Sequence, residues 1–451
     1  MKPLLIAITL LAAPVAGADV PAKYEHAGSI EIAEVVSDFR VGFSLLTTRS
    51  HQYAAYYDAE RRMTVSARER DTRDWIHQPL PSEVGWNSHN SVTMVVDADG
   101  HLHVSGNMHA DPLVYFRTET PGDITTLRPA TMTGELENRV TYPRFFEDQD
   151  GRLVFSYRHG GSGDGINIYN RYDPATRTWS RLLDEPLFDG EGLRNAYPRG
   201  PVRGPDGMFH VHWVWRHTPC CATNHHLSYA RSPDLVHWES AFGERVELPI
   251  RFDHRELVVD AAPSGGGLIN GGHRLLFDSE NRPQIAYHRA DGDGIMQIHV
   301  ARAGTDGWDH RVLTDWRMPV HFSGRGSMPF IGIAIRDFRK VAPGVLGISY
   351  RHKHYGRGMI QIDASSLKPV EDEVAVTPTM PRELSRVDSD FPGIGIRRAH
   401  DLGDPGEEDA RYILQWESLG PNQDQARPQP HPEPSMLRVH RLERRADHPR
   451  S

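Results

Sequence analysis

Asp148-Gln149-Asp150-Gly151 runs directly into Arg152-Leu153-Val154-Phe155-Ser156-Tyr157-Arg158. The first four residues are a turn signal. An aspartate can bind its own backbone, and a glycine can take a positive φ. The run from Arg152 to Arg158 is short, aromatic-rich and alternating, as a strand is. The unit recurs along the chain. Asp97-Ala98-Asp99-Gly100 leads into His101–Ser105, and Pro205-Asp206-Gly207 into Met208–Arg216. Asp278-Ser279-Glu280-Asn281 leads into Pro283–Arg289, and Pro343-Gly344 into Val345–Arg351. From Gly100 through Gly151 to Gly207 the steps are 51 and 56 residues, and through Asn281 and Gly344 they lengthen to 74 and 63. Polar segments ending in tryptophan fall between the units, at Trp75, Trp179, Trp238 and Trp308.

Repeats of about 50 residues, with dense turns and no long helical period, predict an all-β chain built as a β-propeller. Ser232-Pro233-Asp234 before Trp238 has the form of a degenerate Asp-box, a turn between outer blade strands. The first unit lies near residues 40–86, and five more reach about 370. A last unit uses Ala410–Glu417 and Met436–Leu442, and the early strand Ser29–Val36 completes its sheet and closes the ring. That makes seven blades of four-stranded antiparallel sheets, although six or eight fit the same spacing. Residues 420–435 hold Pro421, Pro428, Pro430, Pro432 and Pro434 and read as an extended loop. Arg444–Arg450 reads as a solvated basic tail.

The chain has 451 residues, with Lys+Arg 51 against Asp+Glu 60 and a net charge of −9. That balance argues against nucleic acid as a partner, and an anionic polymer would need a locally basic site. Beyond the N-terminus no stretch approaches the roughly 18 apolar residues of a membrane span. Lys2, the apolar run Leu4–Ala13 and the small residues Ala16-Gly17-Ala18 form the three parts of a secretory signal. Residues 1–18 are therefore expected to be removed, leaving residues 19–451 as a single propeller domain that is secreted or periplasmic. The only cysteines, Cys220 and Cys221, are adjacent and cannot staple distant parts of the fold.

Polar residues at comparable strand mouths mark the candidate site. Gly85-Trp86-Asn87-Ser88-His89-Asn90 precedes one strand, and its partner ends at His109. A hairpin would pair the two imidazoles, which titrate near neutrality. Tyr142-Pro143-Arg144 and Arg158 flank the Asp148–Gly151 turn. A phenol beside a guanidinium is a candidate acid or base, since a cation favours phenolate. Asn195-Ala196-Tyr197-Pro198-Arg199 echoes that segment, and its partner strand ends Trp213-Val214-Trp215-Arg216. Tyr197, Arg199 and Arg216 are read as substrate contacts, with one of the tryptophans packed between blades instead. His217, Cys220, Cys221 and His225 are ligand types for a structural Zn²⁺, against a vicinal disulfide or two free thiols.

Ser88-His89-Asn90, His109, Tyr142-Pro143-Arg144, Arg158 and Thr223-Asn224-His225 before Leu227–Ser232, in that order, resemble the ulvan lyases, BNR-repeat propeller polysaccharide lyases. The likeness covers roughly residues 40–370. It implies β-elimination on a uronate-containing, acidic polysaccharide. In that reading His89 is the base, oriented by Asn90, and Tyr142 protonates the leaving oxygen, or the two exchange roles according to the uronate's epimer. Arg158, assisted by His109, neutralises the carboxylate, while Asn90, Arg144, Tyr197, Arg199 and Arg216 bind substrate. It needs no cofactor for catalysis. A sialidase-like glycoside hydrolase and a non-catalytic carbohydrate-binding propeller are the alternatives.

Overall fold

The Asp-x-Gly turns do what their residues dictate. In the computed structural model, which describes residues 22–445, Asp148 Oδ1 accepts the N–H groups of Asp150 and Arg152, and Asp97 Oδ1 those of Asp99 and His101. Gly100, Gly151 and Gly207 take φ of 86°, 76° and 82°, where a Cβ would be strained. Each turn joins the innermost strand of a sheet to the next strand outward. The Asp-box at Ser232–Trp238 is equally literal. Asp234 Oδ1 accepts the N–H groups of Val236 and His237, and Trp238 donates its indole N–H to Leu235.

Seven antiparallel sheets follow in chain order among the described residues. Blade 1 is Ser44–Thr47, His51–Tyr57, Arg62–Glu69 and Ile76–Glu83; blade 2 is Val92–Val96, Leu102–Gly106, Tyr115–Thr118 and Leu127–Pro129. Blade 3 is Val140–Glu147, Leu153–Gly161, Asp164–Asp173 and Thr178–Arg181, and it gains a fifth, short strand, His109–Asp111, on its inner edge. Blade 4 starts with Asn195–Arg203, Phe209–Arg216 and Asn224–Ser232; the outer edge of the third strand is shared by Trp238–Glu239, which pairs on with Arg245–Val246, and by Val258–Asp260. Blade 5 is Arg274–Phe277, Pro283–Ala290, Met296–Ala303 and Trp308–Val312. Blade 6 has three strands rather than the expected four: Ile333–Ala342, Val345–His352 and Gly356–Asp363. Blade 7 is Gly395–His400, Ala410–Ser418 and Ser435–Arg444, and its outer strand is the N-terminal Tyr24–Val35. The expected closure by the first strand is therefore present, with Ile30 opposite Val439. The predicted signal segment lies outside the described residues.

Innermost strands of neighbouring blades lie side by side, so the starts of these strands converge at one mouth of the ring. The cores lie between sheets. Phe188, Trp213, Trp215 and Trp238 fill one of them. Trp213 and Trp215 are 1% and 2% exposed, so both are core residues, not sugar platforms. Residues 420–434 form the extended loop expected from their prolines. Among the described residues no helix is long and apolar enough to cross a membrane.

Buried imidazoles give the fold an acid limit. Burial pushes His288, His299 and His440 down to about 4, and it holds His212 and His273 well below the usual histidine range. These groups are neutral when folded and protonate near 6.5 when unfolded. The unfolded chain therefore binds more protons below that pH, and stability falls as pH drops from about 6.5 towards 4. Each such histidine contributes on the order of 1 kcal/mol per pH unit in that window. Urea midpoints measured at pH 7 and pH 5 are expected to fall steeply. Equal midpoints would contradict the neutral burial.

Candidate functional site

Tyr142 is the anchor of the site. It has φ of 59° and sits in an irregularity of the ladder between Thr141 and Arg144. A non-glycine residue held there is strained, and such strain clusters at functional positions. The bulge turns the phenol out of the sheet, leaving it 38% exposed at the floor of a cavity of about 270 Å³. His89, His109, Ser162, Tyr197, Arg216, Arg325 and Asp424 line the same cavity.

The two predicted histidines do meet. Their rings stack with centroids 4.0 Å apart, and the His89 ring lies 5.8 Å from that of Tyr142. His109 arrives on the short strand that pairs with blade 3, opposite Thr141. One side chain fixes both imidazoles. Asn87 donates its amide N–H to His109 Nδ1 at 2.7 Å, and its Oδ1 lies 2.9 Å from His89 Nδ1. That network places the His109 proton on Nε2 and the His89 proton on Nδ1, leaving His89 Nε2 as the proton acceptor, with Ser327 Oγ 3.5 Å from it and 3.0 Å from Nδ1.

Asp424 completes the set. Its carboxylate is 3.2 Å from His89 Nδ1 and accepts the N–H groups of Ser88 and Ser327. Burial would raise this acid, but the hydrogen bonds from His89 and Ser327 win and hold it at about 2. His109 is pushed down to about 3, first by burial and then by the His89 and Arg158 charges. It is therefore a neutral hydrogen-bond donor at ordinary pH. The phenol of Tyr142 is pushed up to about 12 by burial and by Tyr197, against Arg158 and Arg216. The expectation that a nearby cation would favour phenolate is thus reversed, because desolvation outweighs the two guanidiniums. His89, His109 and Asp424 also hold three possible metal-ligand atoms within 4.8 Å of one another, the one such group among the described residues.

Arg158 lies beneath the floor, not on it. It is 2% exposed, donates to Thr141 Oγ1 at 3.1 Å, and sits 5.0 Å from the Tyr142 ring and 5.8 Å from that of Tyr197. Arg216 lies 5.3 Å from the other side of Tyr197, tied to the carbonyls of Thr218, Pro219 and Cys220. Ser162 shares a 2.6 Å hydrogen bond with the Tyr197 hydroxyl. Arg158→Ala is expected to lower the melting temperature along with any turnover, because it strips a buried guanidinium worth on the order of 2 kcal/mol. Calorimetry showing unchanged stability would contradict this placement.

Three predicted substrate contacts lie elsewhere. Asn90 is buried and donates to Asn107 Oδ1 at 2.8 Å, so the orienting amide is that of Asn87. Arg144 donates to the Pro201 carbonyl at 3.0 Å, and Arg199 also lies off the cavity. The four predicted zinc ligands do not converge. His217 and His225 stack with centroids 4.1 Å apart, Cys221 is buried and Cys220 half-exposed, and both thiols are free. Cys220 lies just before, and Cys221 opens, a short 3₁₀ turn, Cys221–Thr223, which buries the second side chain and leaves the first half-exposed. The donor types still suit a soft cation, since buried His225 Nε2 has no hydrogen-bond partner.

The comparisons with known proteins agree with this architecture. The chain is similar to the polysaccharide lyase Uly1 (TM-score 0.60, 12% identity, 93% of this chain and 99% of that one). It is also similar to a PL25 ulvan lyase (TM-score 0.54, 14% identity, 92% and 95%). At those identities the likeness shows the propeller fold. In sequence, 185 residues are 26% identical to the short isoform of ulvan lyase from Alteromonas sp. (strain LOR), covering 36% of this chain and 34% of that relative. A stretch of 75 residues is 43% identical to the long isoform from Glaciecola sp. (strain KUL10), covering 16% of this chain and 7% of that relative. The matched part thus spans about a third of the first relative's length. A family model described as BNR repeat-containing family member matches residues 51–316, more than half of the chain, and the chain belongs to the BNR repeat-containing family.

Proposed function

We propose that this chain is a polysaccharide lyase that cleaves an ulvan-like, uronate-containing polysaccharide by β-elimination. The observation that carries the reading is the cavity itself. His89, His109 and Tyr142 converge above two guanidiniums, Arg158 and Arg216, that have no carboxylate partner among the described residues. A sugar acid supplies the missing charge. Its carboxylate sits towards Arg216 and the exposed Arg325, with the neutral His109 donating from Nε2. Arg158 acts through the phenols above it, as a positioning residue. Charge that builds on the carboxylate as the C5 proton leaves is stabilised there. His89 Nε2 takes that proton, its other nitrogen held by Asn87 and Asp424. Tyr142, neutral up to about 12, gives its proton to the departing O4. The electrons of the broken C5–H bond form the C4–C5 double bond, and O4 departs with the electron pair of the C4–O4 bond and takes the Tyr142 proton.

Ulvan lyase relatives support this substrate class. So does the PL25 structure, which is bound to -[GlcA(1-4)Rha3S]-. A glycoside hydrolase reading has less support, because Asp424 is the one carboxylate lining the cavity among the described residues and it is committed to His89. The leader-like residues 1–18 support export.

The test is incubation with ulvan and other uronate polymers while ultraviolet absorbance of the unsaturated product is followed. A lyase raises it. Reducing ends without absorbance would mean a hydrolase, and binding alone a lectin. As they stand, His217, Cys220, Cys221 and His225 are too dispersed to hold one ion, so a structural Zn²⁺ there would first have to draw that loop together. Metal analysis that finds zinc in the wild type, lost in Cys221→Ser, would show that it does, and metal-free wild-type protein would end this assignment.

A further inference from the structure

The axis of the ring carries a second concentration of positive charge that the cavity does not use. Arg144, Arg199, Arg274, Arg336 and Arg397 sit on the innermost long strands of blades 3 to 7, and Arg40 precedes that of blade 1. None lines the cavity. Arg336 is exposed, although it follows Ile335, which is 1% exposed, and although its strand is covered on the outer edge by Val345–His352. It stands at the irregularity between Ile335 and Asp337 on the innermost strand of blade 6, which turns it out of the sheet beside Arg351, Arg357 and Arg40, the last from just before blade 1. Successive guanidiniums lean on the next sheet. Arg144 reaches the Pro201 carbonyl of blade 4, and Arg199 Nη1 lies 3.7 Å from the Cβ position of Gly271 before blade 5. Arg274 Nε donates to the Arg336 carbonyl of blade 6 at 3.2 Å.

These charges oppose one another. Burial first, and then the neighbouring guanidiniums, pull Arg274 and Arg397 down to about 10. Arg40 acts on both Arg336 and Arg397 in the same sense. Among the described residues none of the six forms an ion pair; the nearby Asp337 is paired to Arg339 at 3.2 Å. Beside Arg199 and Arg274 stand the buried His273 and His288, whose ring nitrogens include three without partners. An uncompensated cationic row inside a chain of net charge −9 calls for a counter-ion.

We infer that the axial channel binds a small multivalent oxyanion of the sulfate or phosphate class, held by Arg40, Arg199 and Arg336, whose guanidiniums donate no hydrogen bond among the described residues, while Arg274, bonded to the Gly271, His273 and Arg336 carbonyls, and Arg397, bonded to Ser418, add charge from behind. Planar guanidinium forks match the paired oxygens of such an ion, and a dianion offsets several charges at once. The ion then ties blades together at the hub, independently of any reaction at the cavity.

The test is thermal unfolding of the full chain in sodium chloride and in about 10 mM sodium sulfate at matched ionic strength. Sulfate is expected to raise the melting temperature by about 2 °C or more above chloride. Arg336→Gln, whose side chain makes no hydrogen bond among the described residues, is expected to be at least as stable as the wild type in chloride and to lose half or more of the sulfate rise. No sulfate-specific rise, or the same rise in both proteins, would overturn the inference. If Arg336→Gln does not fold, Arg199→Gln is read by the same criteria.

Discussion

His89→Ala is expected to lower elimination on ulvan by on the order of 10³-fold while leaving the fold in place. Three observations set that size. His89 Nε2 is the one imidazole nitrogen of the pair that the network leaves with neither a proton nor a hydrogen bond from Asn87, because Asn87 holds Nδ1 of both histidines and His109 carries its proton on Nε2. Asp424 backs it from the far side at 3.2 Å and stabilises the cation that forms on proton transfer. His109 cannot stand in, since burial keeps it neutral down to about 3 and its Nδ1 is occupied. Stability should change little, because His89 is half-buried and its neighbours keep their own partners. Product absorbance at saturating substrate, read beside a melting curve, decides the matter. A variant with wild-type turnover would move the base to another group.

Tyr142→Phe is expected to cost about as much, on the order of 10²–10⁴-fold, and to cost it in kcat rather than KM. The substitution removes one oxygen and keeps the ring, so the contacts with His89, Arg158 and Tyr197 survive. Because the phenol stays protonated up to about 12, the wild-type rate should show no alkaline limb from this group below that pH. A Tyr142→Phe enzyme that turns over normally would leave the departing O4 to be protonated by water or by another side chain.

The fold was legible because its punctuation is local. Each Asp-x-Gly turn and the Asp-box carries its own hydrogen bonds within five to seven residues, so spacing alone locates the blades. Blade 6 departs from the pattern because the residues after Asp363 run on as irregular chain instead of returning as a strand. Site residues at the strand mouths were legible for the same reason, and His89, His109, Tyr142, Tyr197 and Arg216 do meet. Arg144 misled because period two places it on the same side as Tyr142, and the irregularity between Thr141 and Arg144 breaks that alternation. Arg199 lies two residues along the strand from Tyr197, roughly 6.6 Å deeper, which takes it from the mouth into the channel. Asp424 was out of reach. It meets Ser88 across 336 positions of sequence, from a proline-rich loop with no period to read. Asn87 was within reach, two residues from His89 in the quoted cluster.

The strand Tyr24–Val35 lies on the outer edge of the sheet that ends with Ser435–Arg444, so the ring joins the earliest described stretch of the polypeptide to the latest. A ribosome delivers these two stretches far apart in time, and until the second appears the first has no ladder to join. Any nascent chain released before about residue 435 carries a bare β edge at its head, exposed to pairing with other chains. Tags and trims placed just before Tyr24 bear on the same seam, and shortening beyond Lys23 begins to unstitch it.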